Sequence, residues 1–332
     1  MIRGLFVALL LAISAVSHGT SVPQEHVRTP DQTFLTFPEW YLVHSPAEYA
    51  AYLERGASPS AFPLFAHIGQ FWQSYAAVNR EIAEYPFNGG YHLMVMVIGV
   101  STTVEYSLKG LYERTVGRLA EALASAPVPE EQFAARFAQS YVDFIRVEPW
   151  YQFNFWSTLT DLWSSVPLHG PDLIRRWERR FLLTSELLVK AGYGQLIRVC
   201  SESVYDVAKP VTAVRVNRVP VPDQSYPDFK LLDSSGLATI PRYEAFSRYS
   251  LWLASQGIDF IAVAGNDGEI VISLIVPDAW TTILSRQLFE QPVLTRPGTK
   301  RSVLAIPVRQ LGDFLRHVLT RPEIVVEHIY DF

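Results

Sequence analysis

Two stretches of this chain space a carboxylate, an ammonium and a phenol at matching intervals: Glu105, Lys109 and Tyr112, then Glu186, Lys190 and Tyr193. Thr103 and Thr184 precede them in step, so the two read as a degenerate internal duplication. On a helix, Glu followed four residues later by Lys is ordinarily a surface pair worth roughly 0.2–0.5 kcal/mol. Here the neighbours are apolar. Met94 and Ile98 share the side of Glu105, and Leu187 and Leu188 flank Glu186. Charges held among such residues are partly desolvated, and perturbed ionisable groups concentrate at functional sites. These six side chains are therefore the candidate catalytic or ligand-binding groups.

A different chemistry is offered by Arg175-Arg176-Trp177-Glu178-Arg179-Arg180, the densest basic run. Beside Trp163 and Phe181 it suits anionic lipid head groups, which makes Arg175, Arg176, Trp177, Arg179 and Arg180 candidate membrane contacts. The histidines show no HxH or HxxxH spacing, so His44, His67 and His92 meet only if tertiary folding joins them, and no metal centre is expected. Arg296-Pro297-Gly298-Thr299-Lys300-Arg301 is first of all a turn. Cys200 is the single cysteine, which excludes an intrachain disulfide and a cysteine zinc site, and it reads as a small core residue. No Walker loop, dinucleotide fingerprint, HExxH or nucleophile elbow occurs, so no cofactor is implied. The net charge of −5 is dispersed, and without a basic stripe nucleic acid is not an expected partner.

These side chains need elements to carry them. Before Lys209-Pro210 apolar residues recur at intervals of three and four; after it, β-branched runs alternate. The first part reads as an all-helical, bundle-like domain over 45–208. Ser45-Pro46-Ala47-Glu48 gives a cap, a first-turn proline and a capping-box Glu for a helix ending at Gly56. Further helices are expected over 64–84, unbroken over 88–124, then over 130–146, 150–165 and from 171 to about 207. In the third of these, His92, Met96, Gly99, Thr103, Gly110 and Gly117 share one side and admit a close neighbour. Its apolar run from Tyr91 is interrupted by Glu105 and Lys109 before bilayer length, which favours a buried helix over a spanning one. Phe37-Pro38-Glu39-Trp40-Tyr41 reads as an aromatic staple docking an extended leader, 20–44, onto the bundle.

The second part, 209–332, reads as strands at 211–219, 258–264, 269–276, 302–306 and 324–330, with helices over 241–256 and 308–319. Gly265-Asn266-Asp267-Gly268 signals a hairpin. Without an insertion at 278–301 the order is βαββαβ, a ferredoxin-like sandwich. The expected fold class is thus α+β, a helical domain followed by a ferredoxin-like one that folds by itself.

Residues 1–19 carry one Arg, an uncharged run and small residues near Ala15 and Ser17, the pattern of a signal peptide or an N-terminal anchor. Export to the periplasm or the membrane-associated envelope follows. Catalytic spacing is lacking, while six of the eight tryptophans precede Lys209. The expected function is therefore a non-catalytic envelope protein binding a membrane surface, a lipid or a protein partner. The alternative is an enzyme or small-molecule carrier whose pocket is lined by the two Glu-Lys-Tyr clusters.

Overall fold

The computed structural model describes residues 22–201 and 210–331. The expected signal or anchor segment lies outside them, as does the side chain of Cys200.

The expected extended leader is instead most of a helix, α1, spanning Gln32–Glu54 with Pro38 and Pro46 inside it. Proline inside a helix costs about 3 kcal/mol. Burial of Phe34, Leu35, Phe37, Trp40, Tyr41, Val43, Ala50 and Leu53 offsets that cost. The helix is apolar nearly all round because it is enclosed on several sides. Of the expected Phe37–Tyr41 staple, Tyr41 packs on Phe71 and Val95 of the helices, whereas Phe37 and Trp40 pack against Val271, Val303 and Ala305 of the C-terminal part.

Around α1 pack α2 (Leu64–Glu81), α3 (Gly89–Tyr112) and α5 (Pro129–Ile145), and against α5 pack α6 (Phe155–Ser165) and α7 (Leu173–Ser201). The third expected helix is not unbroken: a π-helical turn, Glu113–Gly117, separates α3 from α4 (Arg118–Ala122). Gly99 does admit a neighbour, since a Cβ there would stand 2.3 Å from the Phe71 ring of α2. Met96, expected on the same packed side, is exposed.

The C-terminal part is mixed α and β, but its strands form two antiparallel sheets. One has the order β2-β3-β1-β4, from β1 (Val211–Val216), β2 (Lys230–Leu231), β3 (Leu237–Pro241) and β4 (Phe260–Val263). The other has the order β6-β7-β5-β8, from β5 (Glu269–Pro277), β6 (Arg286–Pro292), β7 (Thr299–Pro307) and β8 (Val325–Ile329). A helix joins the last two strands of each, α8 (Glu244–Ser255) in the first and α9 (Leu311–Leu319) in the second. The expected hairpin at 265–268 is therefore a crossing from one sheet to the other, with Ala264 and Gly265 at φ of 49° and 81°. The expected insertion supplies β6, an edge strand of the second sheet.

Alternation along β5 explains how the parts join. Ile270, Ile272, Leu274 and Val276 face a core shared with the first sheet, α8 and α9. Val271, with Val303 and Ala305 of β7, faces Phe34, Leu35 and Phe37 of α1. Thr33 fixes the contact, its hydroxyl donating to Tyr330 O (3.1 Å) and accepting from Val271 N (2.9 Å).

Candidate functional site

Four of the six candidate side chains converge. Lys109 Nζ lies 2.9 Å from Glu186 Oε2, and Lys190 Nζ lies 3.0 Å from Glu105 and 3.6 Å from Glu186. Residue numbers fall along α3 as they rise along α7, so the helices run antiparallel. The π turn adds two further rungs: Arg179 grips Glu113 through both guanidinium nitrogens (2.7 and 2.9 Å), and Arg175 donates to Gly117 O (2.8 Å). Tyr49 of α1 and Tyr141 of α5 complete the enclosure, their rings 4.6 Å from Lys109 and 4.9 Å from Lys190. Between these helices is a cleft of about 90 Å³ lined by Glu105, Lys109, Glu186 and Lys190.

Tyr112 and Tyr193 are not in it. Tyr112 packs beside Phe181, and Tyr193 stacks on Trp150 at 5.3 Å. The phenols at the cluster come instead from elements far away in sequence, which spacing within one helix does not report. Electrostatics follow from burial and pairing. Burial pushes the Glu186 carboxyl up, but Lys109 and Lys190 together pull it down to about 2. Burial opposes the charge of Lys109 too, and Glu186 and Tyr49 more than compensate, holding it above its ordinary value. Glu186, Lys109 and Lys190 are thus held in their charged forms, and Glu105 pairs with Lys190 within the cluster. Such a quartet rigidifies; it leaves no spare base or nucleophile.

The basic run requires a correction. Arg175, Arg176, Arg179 and Arg180 are buried, Arg175 and Arg180 to 1% exposure, and only Trp177 of the five expected lipid contacts is open at 45%. Arg175 binds Glu131 and Glu178, Arg176 reaches the carbonyls of Pro167 and His169, and Arg180 pairs with Glu130 at 2.7 Å. Isolated buried guanidinium is prohibitively costly, so the run points inward to the acids of the π turn and α5.

With its charges inside, α7 turns apolar side chains out. From Leu173 to Leu196 no exposed position is charged, and Ile174, Trp177, Phe181, Leu188, Val189 and Leu196 are all exposed. The face of α3 does the same through Leu93, Val97, Val100, Val104, Leu108 and Leu111, with Glu105 the one exposed charge and that paired to Lys190. At about 100° per residue an unbroken α-helix would swing Val116, Leu119 and Leu123 roughly 100° off this stripe. The extra residue of the π turn restores the phase, and all three are exposed in line. Among the described residues, no helix is long and apolar enough to cross a membrane.

The histidines separate. His92 bonds Tyr75 (2.9 Å), His67 bonds Ser45 and Tyr41 (both 3.1 Å), and His44 bonds Tyr330 (2.9 Å). No group of metal-ligating side chains forms among the described residues. No protein-family model, curated protein or solved structure matches this chain.

Proposed function

We propose that this is a non-catalytic binding protein of the cell envelope, exported by its N-terminal segment, that seats the α3/α7 face in the apolar layer of a membrane surface. The observation that carries this reading is the inversion of both helices: ion pairs inward, large apolar side chains outward. Ionisable groups at membrane depth face the bundle interior and pair with one another. A soluble helix shows the reverse pattern. Exposed apolar area on this scale marks an interaction site. Contact is thus apolar, where the sequence suggested an electrostatic one.

The second reading, an enzyme or carrier working through the Glu-Lys cluster, is favoured by one observation, the cleft between α3 and α7. Its volume of about 90 Å³ is below the range of small-molecule sites, and its charges are already paired. That favours the docking role. The finer ferredoxin-like reading of the C-terminal half is supported by the split β-α-β unit, which recurs in each sheet with β1 or β5 between the joined strands.

Flotation with neutral phosphatidylcholine vesicles tests the docking. The protein is expected to float with the vesicles and to stay bound at about 1 M NaCl, where exposed charge attraction is screened. Leu108→Asp with Phe181→Asp should leave it at the bottom of the gradient. Recovery of the native protein as a lipid-free oligomer, without flotation, would instead assign the face to a protein partner.

A further inference from the structure

On the opposite side of α1 from the helical cleft, a cavity of about 310 Å³ lies between α1 and the second sheet. Its size is at the lower end of small-molecule sites. Its charged lining is not self-satisfied in the way the α3/α7 cluster is. Arg301 is occupied, gripping Glu327 through two nitrogens at 2.6 and 2.7 Å. Glu48 is not. Only 8% exposed, it accepts from Thr295 N at 2.8 Å, while its Oε2 has no hydrogen-bond partner among the described residues. His67 is 4.0 Å from that oxygen, beyond hydrogen-bond reach, and burial keeps the imidazole neutral. A second carboxylate, Glu244 at the start of α8, lines the same cavity and forms no ion pair within 4.0 Å among the described residues.

Two guanidinium groups stand on the same walls. Arg296 is exposed, and Arg146 is half-exposed with only a loose 3.7 Å approach to Asp143. A buried acid with an unused acceptor, a half-buried second acid, accessible arginines and apolar walls such as Val43 and Val293 call for one molecule that carries both a cation and an anion. We propose that this cavity binds a small zwitterion of dipeptide size, its ammonium held by Glu48 and Glu244 and its carboxylate by Arg146 and Arg296. An unpaired buried carboxylate oxygen gains a charge-assisted bond from an ammonium, and guanidinium matches carboxylate geometry in a way an ammonium does not. The inference is independent of the membrane-facing surface.

Isothermal titration of the full-length protein with the dipeptide Leu-Leu decides the matter. Saturable binding is expected, weakened about tenfold or more by N-acetylation and likewise by C-terminal amidation. Glu48→Gln should weaken it to the same degree, with the circular dichroism spectrum checked for intact fold. Arg296→Gln, on the exposed rim, should weaken Leu-Leu while leaving its amide unaffected. No saturable binding up to about 10 mM, equal binding of the capped peptides, or a folded Glu48→Gln protein that binds Leu-Leu as well as the native one would each overturn the assignment.

Discussion

Burial keeps the imidazoles of His44 and His67 neutral, lowering them to about 4 and about 3. An unfolded chain takes up the same protons near pH 6.5. Between that value and about 4 the unfolded state therefore binds protons that the folded state refuses, and stability that is complete above about 6.5 drains as pH falls. Each histidine contributes a slope of at most about 1.4 kcal/mol per pH unit, and the two together about 2.7. Glu327 acts in the same sense at lower pH: burial raises its carboxyl, Arg301 and His44 pull it down to about 2, and its contribution is lost between the ordinary Glu value and that point. Glu48, raised by burial against the pull of Arg301, acts in the opposite sense. The imidazole of His328 is lowered by burial as well and adds to the same slope, so urea denaturation should show a midpoint falling from about pH 7 to about pH 5, and His67→Gln should remove about a third of the slope. A flat profile would mean that the imidazoles are solvated.

The α3/α7 pair behaves as a ladder whose rungs differ in worth. Glu186 is 14% exposed and answers two lysines, whereas Glu105 is 42% exposed and answers one. Glu186→Gln strands Lys109 in an apolar site and should cost about 3–5 kcal/mol. Glu105→Gln leaves Lys190 its second partner and should cost no more than about 1 kcal/mol. Equal small losses on chemical denaturation would show that the rungs are ordinary surface pairs. The ladder was half legible in the sequence. Glu-Lys spacing and the helices carrying it could be read from local period, but Tyr49 and Tyr141 arrive by tertiary packing and leave no local trace. Charge density in the Arg175–Arg180 run suggested an outward face because Glu113, Glu130 and Glu131, its partners, lie some fifty residues away. Pro46 was read as the first turn of a helix, so α1 was legible only from Ser45 on; before it, enclosure on several sides erases the amphipathic period and Pro38 reads as a breaker. β1, β4, β5, β7 and β8 were legible as strands, whereas β2, β3 and β6 were not; Gly265-Asn266-Asp267-Gly268 announces a reversal but not which sheet receives the chain.

At the scale of the molecule, α1 packs against the second sheet across the change of period at Lys209-Pro210. Phe34, Leu35 and Phe37 cover the outer side of the second sheet, and burying each such side chain is worth about 1.5–3 kcal/mol, together comparable to the 5–15 kcal/mol that stabilises a typical domain. A fragment of residues 210–332 is therefore expected to lack a cooperative thermal transition, and a peptide of residues 22–56 added in trans should restore one. A sharp transition in the fragment alone would show that the sheets need no cover. The same contact also orders events in time. Thr33 is joined to Tyr330 across 297 residues, so the first helix synthesised waits for the last strand. At roughly 5–20 residues per second this interval is about 15–60 s, during which the side of α1 that carries Phe34, Leu35 and Phe37 has no sheet to cover it. A chain arranged in this way leaves that side of α1 open to chaperones until β8 has been made.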